Sequence, residues 1–231
     1  MLNLALELTS DLREVGKFAV SCMEFNPTGM VLLIGLDNLQ DNSEGTSKIL
    51  GYSLFKSDSK ARKPIWTINT TSSVTTMSFY PRKNSIIAVG HKNGMVSLYD
   101  LDRIEKDANP LINSSDINEF THVKTITSLE WCVYKVETAA KIVLSSSSAD
   151  GKQILWDMAD KLAIPKRGFL VSKEKSNTGD HILLPATYAR QNPGTKNEFV
   201  VATSTGLLLK MMHTRIISDK IHKSSLANPS N

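Results

Sequence analysis

An all-β fold built from repeated antiparallel blades, a β-propeller of about four blade-like units, is what this 231-residue sequence predicts. Two observations carry the expectation: a strand–turn–strand signature from Ser145 to Met158, and the return of the same pattern at spacings of roughly fifty residues along the chain, the mark of a radial array or solenoid.

The signature reads SSSSADGKQILWDM. Its turn, Ala149-Asp150-Gly151, supplies a side chain that hydrogen-bonds locally and a residue free to take positive φ. The strand that follows alternates Gln153, Leu155 and Asp157 against Ile154, Trp156 and Met158, and Gln153 is expected on an exposed face. Each unit opens on an apolar strand: Val20 to Pro27, Val74 to Pro81, Ile126 to Trp131, and a weaker Leu183 to Tyr188. Each closes on a strand led by glycine: Gly51 to Phe55, Gly94 to Asp100, Gly151 to Asp157, and Gly206 to Met211. Between them Ile86 to Gly94, Lys141 to Gly151 and Glu198 to Gly206 are apolar runs turning small and polar before their glycine, as a buried strand does on reaching the surface.

The units exceed the ~40–45 residues of a standard repeat of this kind, and the surplus falls in polar segments. Asn38 to Ser47, Arg103 to Thr121 and Lys166 to Gly179 lack strand-like alternation and are expected to be surface loops. The chain divides into an N-terminal segment 1–19, blades over 20–212 and a polar tail 213–231. The run from Leu2 to Leu8 fits either an outer strand of a preceding blade or an amphipathic capping helix. Four uneven units suggest part of a larger, seven-bladed ring. The faces carrying Phe25 and the Phe199-Val200-Val201 strand are then left uncovered, and self-association, or dependence on another segment, is expected.

A hydrophobic share of 41% supports a substantial core. The net charge of +4 is modest and its lysines and arginines are scattered, so no nucleic-acid partner is indicated. No apolar run reaches the ~18 residues that cross a bilayer, and Glu7, Asp11 and Glu14 oppose a secretory signal, so no membrane partner is indicated. Cys22 and Cys132 each lie in an opening strand and are expected to be buried small residues, not a disulfide or metal pair. His91, His122, His181, His213 and His222 have no metal-ligand spacing, and phosphate-binding loops and nucleophile elbows are missing. No catalytic residue, metal, cofactor or small-molecule substrate is therefore expected.

The turn and the closing Trp156-Asp157 resemble the WD repeat. That resemblance implies a buried structural relay of His122, Ser146, Asp150 and Trp156, while a solvent-exposed loop position for His122 stays open, because Thr121 stands where glycine commonly precedes the histidine. Taken in order, Val20 to Asn38, Lys63 to Arg103, Thr125 to Leu162 and Asn197 to Arg215 resemble the WD-repeat domain of dynein intermediate chains, with Tyr99 replacing the tryptophan of the second unit. The resemblance covers Val20 to Arg215, and its loop pattern is slightly nearer the axonemal than the cytoplasmic chains. It implies a non-catalytic scaffold of the cytoplasm and cytoskeleton, or of the ciliary axoneme, partnered by dynein heavy chain and a second intermediate chain in microtubule-based movement. The alternative is a WD-repeat adaptor of an unrelated complex; an enzyme on a propeller is the least supported reading.

Overall fold

The computed structural model describes residues 7–8, 17–39, 46–54, 61–106, 108–136, 139–160, 162–174, 181–195, 198–212 and 222–223. It is a WD-repeat β-propeller segment of four blades. Blade 1 pairs strands Phe18–Phe25, Val31–Asn38, Ser47–Ser53 and Trp66–Thr70, in that order. Blade 2 pairs Val74–Phe79, Ile86–His91, Val96–Asp100 and Leu111–Ser114. Blade 3 pairs Ile126–Val136, Ala139–Ser148, Lys152–Trp156 and Arg167–Leu170. Blade 4 has Ala186–Gln191, Glu198–Thr203 and Leu208–Met212. All these pairings are antiparallel, and the inner strand of each blade packs on the inner strand of the next.

The polar segments contain more structure than their composition suggests. The outer strands of blades 2 and 3, Leu111–Ser114 and Arg167–Leu170, lie inside segments expected to be loops, as does Ser172–Glu174, which pairs with His181–Leu183. An outermost strand packs on few neighbours and needs no long apolar alternation, so four residues held by ladder hydrogen bonds leave little trace in sequence. The N-terminal run is described only at Glu7–Leu8, which pairs in parallel with Ala61–Arg62. Of the tail, His222–Lys223 lies beside Arg167–Leu170; the rest of both ends and residues 40–45 and 175–180 lie outside the described residues.

The core consists of the layers between blades. Leu33, Ile49 and Ile68 of blade 1 meet Val74, Phe79 and Ile87 of blade 2. Ala88, Val96 and Leu98 meet Ile126, Leu144 and Trp156 across the next interface, and Val143, Leu155 and Phe169 meet Phe199, Val201 and Met211 across the third. A sheet covered on both faces has no solvent-facing row in its central strands. This overturns the exposed position expected for Gln153, which is fully buried. Its Nε2 donates to Ser145 Oγ at 3.0 Å, while its Oε1 is buried without a hydrogen-bond partner. Gly51 is likewise no turn residue: it lies mid-strand, where the Trp66 ring fills the space a Cβ would need. By contrast Gly94, Gly151 and Gly206, with φ of 95°, 78° and 80°, hold the left-handed turns before the third strands.

A repeated polar tie joins the blades. Every inner strand has an irregular register at its start, leaving Ser21, Thr75, Thr127 and Thr187 as the extra residue. The Ser21 hydroxyl lies 2.6 Å from Val74 O, Thr75 lies 2.7 Å from Ile126 O and Thr127 lies 2.9 Å from Ala186 O, each acceptor being the matching residue of the next blade. Each hydroxyl also lies within reach of a carbonyl of its own second strand, at Gly35, Gly90 or Ser147. A net ~1 kcal/mol per hydrogen bond is modest, but its geometry fixes the blade-to-blade register that apolar packing leaves loose.

Candidate functional site: a braced loop on one end of the blades

The turn from Ala149 to Gly151 and the loop before blade 3 are locked together by side chains deep in the sheet. Trp156 Nε1 donates to Ser146 Oγ at 2.7 Å, and the same oxygen lies 2.7 Å from His122 Nε2. His122 Nδ1 is 3.4 Å from Asp150 Oδ1. One assignment satisfies every atom: indole N–H to serine, serine O–H to Nε2, and Nδ1–H to the carboxylate. The structure thus brings all four relay residues together. His122 and Trp156 are fully buried, so the exposed-loop position left open for His122 is not the one it takes.

Burial lowers the His122 pKa, and the Asp150 partner only partly opposes this. The ring is neutral at neutral pH, as the donor chain requires. Burial by itself would raise the Asp150 carboxyl. Hydrogen bonds from His122 and from the backbone N–H groups of Val123 and Lys152 outweigh it and hold Asp150 below its ordinary value. The relay therefore stores no reactive proton; it ties a turn to a loop.

The loop so held, residues 115–123, is braced at several points. Lys152 Nζ donates to Glu119 O at 2.7 Å and Thr121 O at 2.6 Å, and Thr121 Oγ1 donates to Asp116 O at 2.8 Å. From this frame Ile117, Phe120 and Val123 project with 47%, 58% and 48% of their surface exposed. A rigid loop offering apolar side chains loses little entropy on binding another protein. Sequence reading missed this surface. Its signal is two apolar residues, Ile117 and Phe120, inside an otherwise polar stretch.

A second buried histidine was also missed. His91 Nε2 is 3.1 Å from Ser97 Oγ and Nδ1 is 3.2 Å from Ser72 O, tying blade 2 to the loop that precedes it. Burial pushes its pKa down to about 4. Cys132 is buried and Cys22 half-buried, both free, and burial pushes their thiols up to about 12 and about 11, far from the thiolate form. Among the described residues no group of three His, Cys, Asp or Glu side chains could hold a metal ion, and no helix is long and apolar enough to cross a membrane.

Antiparallel blades packed face on face, one of them carrying the buried His122–Ser146–Asp150–Trp156 relay, define a WD-repeat β-propeller fold. No protein-family model matches the chain. It is similar to cytoplasmic dynein 2 intermediate chain 2 of Homo sapiens, with 27% identity over 139 residues, and to the protein of that name in Mus musculus, with 26% identity over 139 residues. The match covers 59% of this chain and 25% of each relative, so it spans about a quarter of their length. A chain in the crystal structure of the mitotic checkpoint complex superposes with a TM-score of 0.55 at 17% identity, over 85% of this chain and 50% of that one. That likeness shows the fold alone.

Proposed function

We propose that this chain is a non-catalytic scaffold of the dynein intermediate-chain type, whose blades bind dynein heavy chain alongside a second intermediate chain and so support microtubule-based movement. The observation that carries this reading is the match to cytoplasmic dynein 2 intermediate chain 2 over 139 residues. The order of the blade units adds support. The relatives' names favour a cytoplasmic dynein 2 type over the axonemal type to which the loop pattern is slightly nearer. The proposed locations are the cytoplasm, the cytoskeleton and the cilium.

Affinity purification of the endogenous protein from ciliary and cytoplasmic extracts, followed by quantitative mass spectrometry, tests the reading. Dynein heavy chain and a second intermediate chain are expected in near-stoichiometric amounts. Their absence from both extracts, with another complex recovered instead, would establish the alternative, a WD-repeat adaptor of an unrelated assembly.

A further inference from the structure

The connections between blades differ in a way the fold does not require. Blade 1 passes to blade 2 through the polar Thr71, Ser72 and Ser73, whereas blade 2 passes to blade 3 through the longer residues 115–125. The longer connection is closed on itself. Asn118 Oδ1 accepts the backbone N–H of Phe120 at 2.9 Å and that of Thr121 at 3.2 Å, while Thr121 Oγ1 accepts the N–H of Asn118 at 2.9 Å. Polar atoms alone hold this turn together, yet the side chains it presents to solvent include Ile117, Phe120 and Val123.

These three join a wider apolar strip across one end of blade 3. On one side of the Ala149–Gly151 turn, the Val123 N–H donates to Asp150 Oδ2 at 2.9 Å. On the other, Leu183 Cβ lies 3.3 Å from the place a Cβ on Gly151 would take, and Leu183 is itself 46% exposed. Apolar side chains from two successive connections thus flank one turn. Single exposed apolar residues are ordinary on a protein surface, but a group of them fixed on a braced frame marks a contact site.

Charge narrows the occupant. Asp116 and Glu119 border Ile117 and Phe120 with exposed side chains, and among the described residues neither carboxylate has an ion-pair partner. Lys152 does not serve them, because its Nζ is held by the main-chain carbonyls of Glu119 and Thr121. Lys124 lies beyond Val123, where its carbonyl packs against the Gly94 turn. An apolar surface bordered by unpaired carboxylates repels anionic lipid and nucleic acid, and it suits a protein segment that carries apolar anchors beside Lys or Arg.

We propose that the strip formed by Ile117, Phe120, Val123 and Leu183 is a docking surface for a basic, apolar segment of another protein. The segment seats its apolar side chains on Ile117 and Phe120 and its Lys or Arg against Asp116 and Glu119. The strip belongs to this chain's own long connection, not to the repeat, and is independent of the dynein reading.

The test places the photo-crosslinking residue p-benzoylphenylalanine at Phe120 of the full chain in the cells that express it, with a control at Ile164 on the opposite end of blade 3, and maps the crosslinked peptides by mass spectrometry. The expected product joins Phe120, and not Ile164, to a segment of another protein with a Lys or Arg within about four residues of an apolar anchor. That segment, synthesised as a peptide, is then titrated against the purified chain by fluorescence anisotropy. Its affinity is expected to fall about tenfold with Phe120→Ser, about fivefold with Asp116→Asn and Glu119→Gln together, and not at all with Ile164→Ser. All these variants keep the parent's thermal midpoint, since the side chains changed are exposed. Products on lipid, on a second copy of this chain or on an acidic segment, no product at all, or an affinity indifferent to Phe120→Ser or to the paired Asp116 and Glu119 changes would each overturn the proposal.

Discussion

Trp156 on the third strand of blade 3 and His122 in the loop before that blade share one oxygen: the Ser146 hydroxyl receives the indole N–H at 2.7 Å and lies 2.7 Å from the imidazole Nε2. The relay therefore has a single mechanical centre. Trp156 contributes volume as well as a donor, because it is fully buried between blades 2 and 3. Trp156→Ala is expected to cost about 3–5 kcal/mol, read as a lower urea midpoint. A midpoint equal to the parent's would mean that the ring is not the keystone of this interface.

Ser146→Ala leaves two buried groups without their shared partner. Each orphaned group costs about 1–3 kcal/mol, so the single change should rival a large cavity although it removes one atom. In a double-mutant cycle with His122→Ala the two effects should fall short of their sum by at least about 0.5 kcal/mol, since both break one chain. Strict additivity in equilibrium denaturation would show that the three side chains act independently.

Gln153 gives a sharper contrast, because its sequence context points to the surface. It is fully buried and its Nε2 donates to Ser145 Oγ, so Gln153→Ala, which leaves a cavity and breaks that bond, should destabilise by about 1–3 kcal/mol, outside the ~0.5 kcal/mol range of surface changes. Gln153→Leu, which fills similar space without a buried polar atom, should be less costly than the alanine change. The ranking of the two thermal midpoints decides it.

What the sequence made legible was local, and what it hid was the effect of neighbours. The turn at Asp150-Gly151 could be read because a positive φ leaves a direct mark, whereas the relay partners followed only from the resemblance of this unit to the WD repeat. The burial of Gln153 could not, because it depends on blade 4 covering a strand far away in the chain. The outer strands Leu111–Ser114 and Arg167–Leu170 were hidden for the opposite reason: the outermost strand needs little apolar pattern. The serine and threonine at the start of each inner strand were in plain sight. Their meaning appears only when adjacent strands show the bulge that turns each hydroxyl outward.

The buried histidines make stability fall on mild acidification. The folded-state pKa of His91 lies at about 4 against 6.5 when unfolded, so below pH 6.5 the unfolded chain takes up a proton that the folded chain refuses. Its contribution is fully present above pH 6.5 and lost as pH falls towards 4, about 3 kcal/mol in all. His122 acts in the same direction. Glu24 and Glu130, raised chiefly by burial, partly offset the loss as they protonate. Urea unfolding from pH 8 to pH 4.5 should show the decline, and a His91→Gln variant should show a shallower one. Equal slopes in the two proteins would remove His91 from this account.

The close approach of neighbouring blades is tested most directly at Gly35. A Cβ there would lie 2.6 Å from Cys22 Sγ and 2.6 Å from Val74 Cγ1, the second of these belonging to blade 2. Gly90 repeats the arrangement one blade on, with Ile126 Cγ2 at 2.6 Å. The carbonyls of both glycines also lie 3.0 Å from their own blade's bulge hydroxyl, so a shift of either strand would disturb the tie to the next blade. Gly35→Ala is therefore expected to cost about 1–3 kcal/mol through overpacking, even though alanine suits a strand backbone better than glycine. Trimming the opposing side chain with Val74→Ala should recover part of the loss in the double variant, because the removed methyl groups vacate the space the new one needs. Loss of stability without any such rescue would place the strain within blade 1 and not at the junction of the two blades.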